Sequence, residues 1–391
     1  MIQDLLTLEK ETCCGCSACA SICPKNAITM SYDTKGFLYP QVNPEKCVGC
    51  KLCLSVCDFK NFKPTNNSPV SYAVRHKSET EVATSRSGGF MMALSEYVIE
   101  KGGVIFGCAL ENPSTIIHKY ANDYESCKSF KGSKYVQSDV KNTFVECADF
   151  LKSGRAVLYS GTACQVHGLL SFLNNSKIST DNLITCDIVC HGVPSPGIWN
   201  DYITTLTKKL DSEIISVDFR EKQVHGWASH IEKYTTEIGS ELYIKNWTEL
   251  FYAHVLFRES CYNCKYTTPN RLTDFTIADY WGIEKQAPEF ADNKGVSLVI
   301  VGTDKGDRIF ASVLDKLNYK KTDLGKSLQP NLIRPSKKGK GYKRFWKSYT
   351  KNKQKTIKKY LFPNKVVLFG RNIKNKLKPA VKKILKKLHI R

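Results

Sequence analysis

From position 71 onward, short apolar runs alternate with stretches whose apolar residues recur at helical spacing. Ser71-Tyr72-Ala73-Val74 reads as a strand. Ser87-Gly88-Gly89 opens an apolar helix from Phe90 to Lys101, Gly102-Gly103 ends it, and Val104-Ile105-Phe106-Gly107 reads as a buried strand. The rhythm repeats. A helix over Phe144–Lys152 stops at Ser153-Gly154, and Ala156-Val157-Leu158-Tyr159 forms a strand. Ser160-Gly161-Thr162-Ala163-Cys164-Gln165 then leads into a helix from Val166 to Leu173. Leu183–Val189 is the next strand, running into Cys190-His191-Gly192-Val193-Pro194, and Ser195-Pro196 precede a helix through Trp199 and Tyr202. Strands alternating with helices predict an α/β body with a largely parallel sheet. Beyond Leu210 the pattern changes. Glu213–Phe219, Ser229–Thr236 and Glu241–Ile244 read as antiparallel strands, Trp247–Phe257 as a helix, and Thr273–Ala278 and Ser297–Gly302 as further strands. Nearer the start, Ile28-Thr29-Met30 and Phe37-Leu38-Tyr39 flank the turn Asp33-Thr34-Lys35-Gly36, and 62–70 has the composition of a linker.

The chemistry concentrates before that linker. Cysteines stand at 13, 16, 19 and 23 and again at 47, 50, 53 and 57, so C-x2-C-x2-C-x3-C recurs after 34 residues. This is an internal duplication with the spacing of the bacterial two-cluster ferredoxin. Three cysteines on one tight loop reach three irons of a cubane. The fourth begins the next helical turn and serves the other cluster. Cys13, Cys16, Cys19 and Cys57 are therefore assigned to one [4Fe-4S] cluster, and Cys47, Cys50, Cys53 and Cys23 to the other. Pro24 fits the run, Asp58 after Cys57 does not, and Cys14 has no place in the pattern, which makes it a bystander thiol. Disulfides would require an oxidising compartment, and no signal-peptide pattern precedes these residues. Zinc sites commonly pair two C-x2-C units and add histidine, and no histidine occurs before His76.

A chain of 391 residues, 42% hydrophobic, is long enough for two or three domains. No apolar run approaches the roughly 18–20 residues that span a bilayer. Seventeen cysteines without an export signal predict a reducing cytoplasm, and clusters of this kind suggest an anaerobic cell. The net charge of +21 is not spread evenly: 21 of the 58 Lys and Arg, and no acid, fall in 337–391, leaving 37 basic and 37 acidic residues before it. Ala380–Leu388 places Val381, Ile384, Leu385 and Leu388 on one helical face and lysines on the other, and Phe345, Trp346 and Tyr349 stand among lysines. These features predict attachment to an anionic membrane surface, hence a peripheral position on the inner face of the membrane. A solvated basic tail is the simpler alternative. Nucleic acid would use the same charge but is not expected.

Several motifs in the body, in their order, carry a resemblance. They are Ser87-Gly88-Gly89, Gly132-Ser133-Lys134-Tyr135, Gly161-Thr162-Ala163-Cys164-Gln165 and Cys190-His191-Gly192-Val193-Pro194-Ser195-Pro196. They continue with Phe219-Arg220, Gly226-Trp227, Cys261-x2-Cys264, Asp279-Tyr280-Trp281-Gly282 and Gly295-Val296-Ser297. Over roughly residues 10–335 the chain resembles the beta-subunit family of coenzyme F-420 hydrogenases and dehydrogenases. Ala163 stands where the family pattern has proline, and Tyr280 interrupts its acidic-aromatic-Trp-Gly run. The resemblance implies FAD, [4Fe-4S] clusters and electron transfer between a one-electron carrier and a two-electron acceptor.

Cys164 and Cys190 each follow a predicted strand, where an α/β sheet builds its sites, and one loop supplies Cys261 and Cys264. These four thiols suit a third [4Fe-4S] cluster. The alternative is a buried apolar Cys164 with zinc on Cys261 and Cys264. For the flavin, an ordinary helix start is the simpler reading of Ser87, Gly88 and Gly89. The resemblance makes them a diphosphate site, with Ser133, Lys134, Tyr135 and Thr162 as further contacts. His191, Arg220, Lys222 and His225, beside Trp227, are the candidates for holding an anionic acceptor and exchanging a proton. The expected fold is α+β. A bacterial-ferredoxin-like double-cluster module (1–62) precedes an α/β flavin-binding domain (71–210), a β-rich part of the catalytic body (211–336) and a Lys-rich helical tail (337–391). The expected function is an iron–sulfur flavin-dependent oxidoreductase fed by a ferredoxin-like partner. The alternatives are an electron-transfer subunit docked on a partner enzyme, as in membrane-associated polysaccharide synthesis, and a redox-sensing cluster protein.

Overall fold

The computed structural model describes residues 9–362. In the N-terminal module the two cysteine loops fold alike. Gly15 and Gly49 take φ of 71° and 70°, and Ser17 and Lys51 take φ of 65° and 64°. Each loop then starts a one-turn helix, α1 (Ala18–Ser21) and α2 (Leu52–Ser55). The left-handed residues turn the backbone tightly enough to aim successive cysteines inward. The duplication read in the cysteine spacing is thus repeated in the dihedral angles. Strands β1 (Ile28–Tyr32) and β2 (Leu38–Val42) pair antiparallel between the loops, and α3 (Asp58–Asn61) follows the last cysteine.

The body is built on one eight-stranded sheet. Its strands in chain order are β3 (Val70–His76), β4 (Val104–Asn112), β5 (Thr115–Ala121), β6 (Val157–Thr162), β7 (Leu183–Ile188), β11 (Phe275–Asp279), β12 (Ser297–Val301) and β13 (Leu317–Thr322). Across the sheet the order is β13-β3-β12-β11-β7-β6-β4-β5. β11, β7, β6 and β4 run parallel. The strands on both flanks are antiparallel. Helices α4 (Phe90–Glu100), α5 (Thr143–Lys152), α6 (Ala163–Asn175) and α7 (Pro196–Leu210) connect or cover them. The strands before position 210 and after 275 hydrogen-bond into the same sheet, so the expected boundary at 210/211 does not separate two sheets. Only β8 (Ile214–Asp218), β9 (Glu232–Thr236) and β10 (Glu241–Ile244) form a separate antiparallel sheet, followed by α8 (Asn246–Tyr252).

The expectation of membrane-anchoring aromatics at 345–349 is corrected. Helix α9 (Tyr342–Lys351) carries Tyr342, Phe345, Trp346 and Tyr349 at helical spacing, and all four are buried. Their stripe packs into the same core as α7, the three-stranded sheet and Phe37. Tyr349 donates to Asp201 at 2.6 Å. α10 (Lys353–Leu361) completes that core with Ile357 and Leu361. The lysines of α9 point outward because the stripe facing the body is apolar. Residues 342–361 therefore belong to the body. The segment Ala380–Leu388 lies outside the described residues. Among the described residues no helix is long and apolar enough to cross a membrane.

Candidate metal centre

The module is seated deep in the body. Ala18 and Val56 are buried in one core with Val104, Phe144 and Leu169. At Gly168 in α6 a Cβ atom would lie 2.9 Å from Cys16 Sγ. A glycine there lets the cysteine loop rest on the helix. Asp58, which replaces the proline of the usual run, accepts from Tyr266 Oη at 2.7 Å and faces His167 at 3.4 Å. That second half of the duplication has traded a loop proline for a polar anchor to the body.

Two cavities hold the cysteines. The first encloses about 480 Å³, part of it open to solvent, and is lined by Cys13, Cys16, Cys19 and Cys57 and also by Cys53, which the spacing assigns to the other cluster. Cys53 has Cys50, Cys47 and Cys23 as its electrostatic neighbours. Cys50 is exposed, as is Val48 beside it, so the second loop forms the outer face of the module. The amide of Ala27 donates to Cys23 Sγ at 3.3 Å.

The second cavity, about 530 Å³ and also partly open, is lined by Cys164, Cys190, Cys261 and Cys264. Cys164 sits in the first turn of α6, just past β6, and Cys190 follows the adjacent parallel strand β7. Cys261 lies in the one-turn helix Glu259–Asn263 and Cys264 directly after it. Thr162 closes a capping box with Gln165 and bonds Cys164 Sγ at 3.2 Å. The amides of Gly192 and Val193 donate to Cys190 Sγ and Cys261 Sγ at 3.3 and 3.4 Å. Amide donors aimed at sulfur suit a thiolate-ligated cluster, whose charge they stabilise. Burial pushes the Cys190 thiol up to about 12 and Cys264 up to about 11. Such thiols stay protonated unless a metal displaces the proton. Cys164 is held down, to about 7, chiefly by a hydrogen bond from Cys14. Among the described residues no three His, Cys, Asp or Glu side chains close around a single metal ion. All four cysteines line the one cavity.

Most of the remaining candidates spend their donors within the chain. Arg220 pairs with Asp279 at 2.5 Å, and Trp227 Nε1 donates to the same carboxylate at 3.1 Å. Lys222 donates to the carbonyls of Val82, Ser85 and Ser87. His225 pairs with Glu221 at 2.8 Å. Ser87 donates to Val296 O, and Gly88 N donates to Ser297 Oγ. Gly88 therefore has no free amide for a diphosphate. Lys134 donates to Ser129 O and Lys131 O, and burial lowers it to about 8. Ser133 adjoins it, and Tyr135 stacks on Phe251 with centroids 4.3 Å apart.

His191 lines the second cavity and packs against Tyr252, 5.7 Å away. Loss of water around its ring, with His254 nearby, holds its pKa down. From Tyr252 an aromatic face continues through His230 to Trp281. Trp281 is 40% exposed, stacked on Trp227 at 4.7 Å, with the Arg220 guanidinium 5.4 Å from its ring. Sequence reasoning did not single out Tyr252, His230 or Arg258. Their partners lie far along the chain, and the hints of this surface were Arg220, Trp227 and His191 and the Trp281-Gly282 pair.

Comparison with known proteins agrees with this layout. Residues 12–61 match the family model of the 4Fe-4S dicluster domain. Residues 154–326 match the family model for the C terminus of the coenzyme F420 hydrogenase/dehydrogenase beta subunit. A chain of the F420-reducing [NiFe] hydrogenase complex from Methanosarcina barkeri shares 16% identity, with 75% of this chain and 91% of that chain covered and a TM-score of 0.46. No curated protein matches. The class is thus an iron–sulfur electron-transfer protein. More particularly, the chain joins a 4Fe-4S dicluster domain to the C-terminal domain of the coenzyme F420 hydrogenase/dehydrogenase beta-subunit family.

Proposed function

We propose that the chain is an iron–sulfur flavoprotein oxidoreductase that takes single electrons from a ferredoxin-like partner and delivers them in pairs to a small acceptor. The observation that carries this reading is the second cavity. It brings four thiols from three separate parts of the body together, with amides directed at two of them, beside a dicluster module. Cys13, Cys16, Cys19 and Cys57 would hold the inner module cluster, and Cys23, Cys47, Cys50 and Cys53 the outer one. Cys164, Cys190, Cys261 and Cys264 would hold a third. Clusters pass one electron at a time, and FAD supplies the step that pairs two.

The chain's own residues supply position and solvent exclusion. The exposed Trp281 ring, packed on Trp227 and the Arg220 guanidinium and continued by His230 and then Tyr252, would offer a flat face for FAD. His191 joins that face to the second cavity. Arg220 and Lys222 hold the segments bearing Trp227 and Ser87 rather than reaching for the acceptor. His191, kept neutral by burial, can take part in hydrogen bonding beside the cavity, and His225, oriented by Glu221, is the candidate for exchanging a proton.

The test is anaerobic purification with iron, sulfide, zinc and flavin measured on one sample. About twelve irons and one FAD without zinc is the expected result. About eight irons with zinc would overturn the third cluster. Absence of flavin after reconstitution would leave an electron-transfer subunit or sensor in place of the oxidoreductase.

A further inference from the structure

Arg258 is completely buried, and among the described residues no carboxylate pairs with it. Its Nε donates to Cys13 O at 2.7 Å, and its terminal nitrogens donate to Leu38 O at 2.8 Å, Gln137 Oε1 at 3.1 Å and Cys13 Sγ at 3.5 Å. The guanidinium lies 4.0 Å from the centre of the Tyr39 ring. All these partners are neutral unless the thiols ionise. A Cβ on Gly15 would stand 2.7 Å from the guanidinium, so the first cysteine loop is shaped around this charge. A buried, always-charged group without a counter-ion is destabilising. Apart from the Tyr39 phenol, the ionisable groups on which this charge acts are thiols: Cys13 and Cys14, and Cys261 and Cys164 of the second cavity. Cys14 is itself a wall of both cavities, in hydrogen-bond reach of both Cys16 and Cys164. Its single S–H proton can serve only one of those sulfurs at a time.

We propose that Arg258 and Cys14 form the electrical junction between the inner module cluster and the cluster of the second cavity, Arg258 being the shared counter-charge and Cys14 the shared sulfur donor. The proposal rests on the three-cluster reading above. A fixed positive charge favours the form of a cluster that carries one more electron. Arg258 would therefore raise the reduction potentials of the two clusters it faces and leave that of the outer, solvent-facing cluster at Cys23, Cys47, Cys50 and Cys53 unshifted. With clusters held in both cavities, one electron given up on the Cys13, Cys16, Cys19 and Cys57 side would be taken up on the Cys164, Cys190, Cys261 and Cys264 side, past Arg258 and Cys14. No proton need move. The ferredoxin-like donor is then met by the outer cluster, and electrons run inward.

The experiment is a redox titration followed by low-temperature electron paramagnetic resonance. It uses the full chain, purified anaerobically, as wild type, R258K, R258Q and C14A, with iron counted on each sample. R258Q is expected to move two of the three cluster signals to more negative potentials and leave the third in place, while R258K stays close to wild type. Three clusters with unmoved potentials in R258Q, or an equal shift of all three, would overturn the junction alone. If R258Q does not retain iron, C14A decides. A negative shift confined to the same two signals supports the junction, and wild-type potentials overturn it. A wild-type chain with fewer than three clusters would instead overturn the three-cluster reading, and the junction with it.

Discussion

The sulfur ligands proposed for the second cavity come from three stretches of chain, and their removal should be selective. Cys264→Ala is expected to cost about four of about twelve irons while leaving the module clusters intact, since no module ligand lies in that loop. Iron analysis with spectra of the residual clusters checks this, and loss of all iron would show that the cavities do not load independently. Glu232 offers a different residue-scale test. It is buried, accepts from Thr248 N and Tyr234 Oη, and burial pushes it up to about 7. Between its ordinary value and pH 7 the folded chain holds this proton more tightly than the unfolded chain does. Stability from this group is therefore full at low pH and falls as pH rises through that window, by about 1.4 kcal/mol per pH unit at most. Glu232→Gln should flatten the fall in Tm between pH 5 and 7.5; an unchanged profile would mean that Glu232 does not titrate there. At this scale, what could be read from the sequence was what is local. Eight cysteines in a fixed spacing disclose their chemistry, because a cluster loop is built from neighbours in the chain. Arg258 and Asp58 disclose nothing, because their partners stand 245 and 208 positions away.

Elements follow the same logic, with contacts rather than ligands deciding. The alternation of strands and helices after position 71 predicted β3, β4, β6 and β7 near their observed places, since a buried strand writes its burial into a continuous apolar run. The edge strands β5 and β13 escaped notice. β13 has one buried residue, Leu317, and a lysine-rich remainder, which leaves little periodic signal. α9 was misjudged for the opposite reason. Its charged face dominates the composition, while the packed stripe is only four residues wide. Helix α6 shows how an element positions the site. Gly168 is its point of contact with Cys16, and a side chain there must displace either the cysteine loop or the helix. Gly168→Leu is expected to abolish the inner module cluster and lower Tm by several degrees, seen as loss of one cluster signal on anaerobic reconstitution. Retention of all clusters would show that the loop can shift without losing its ligands.

On the scale of the whole molecule, the charge asymmetry conceals a structural continuity. The excess of 21 positive charges begins at 337, yet the apolar stripes of α9 and α10 run into the core made by α7, the three-stranded sheet and the hairpin residue Phe37. Phe37 contacts Trp346 with ring centroids 6.1 Å apart, so the C-terminal helices also brace the cluster module. Composition could not show this, because charge is counted along the chain while packing is decided by one face of a helix. A chain ending at 336 would expose Phe37 and the α7 face to water. The loss is far larger than a single Phe→Ala change, which costs about 3–5 kcal/mol. Such a chain is expected to be insoluble or to melt far below the full-length protein, whereas Phe345→Ala should fold, bind its clusters and melt several degrees lower. Thermal denaturation of the three chains side by side tests this. If the 1–336 chain melted with the full-length protein, α9 and α10 would be an appendage, and the membrane surface would again be the natural partner for Phe345, Trp346 and Tyr349.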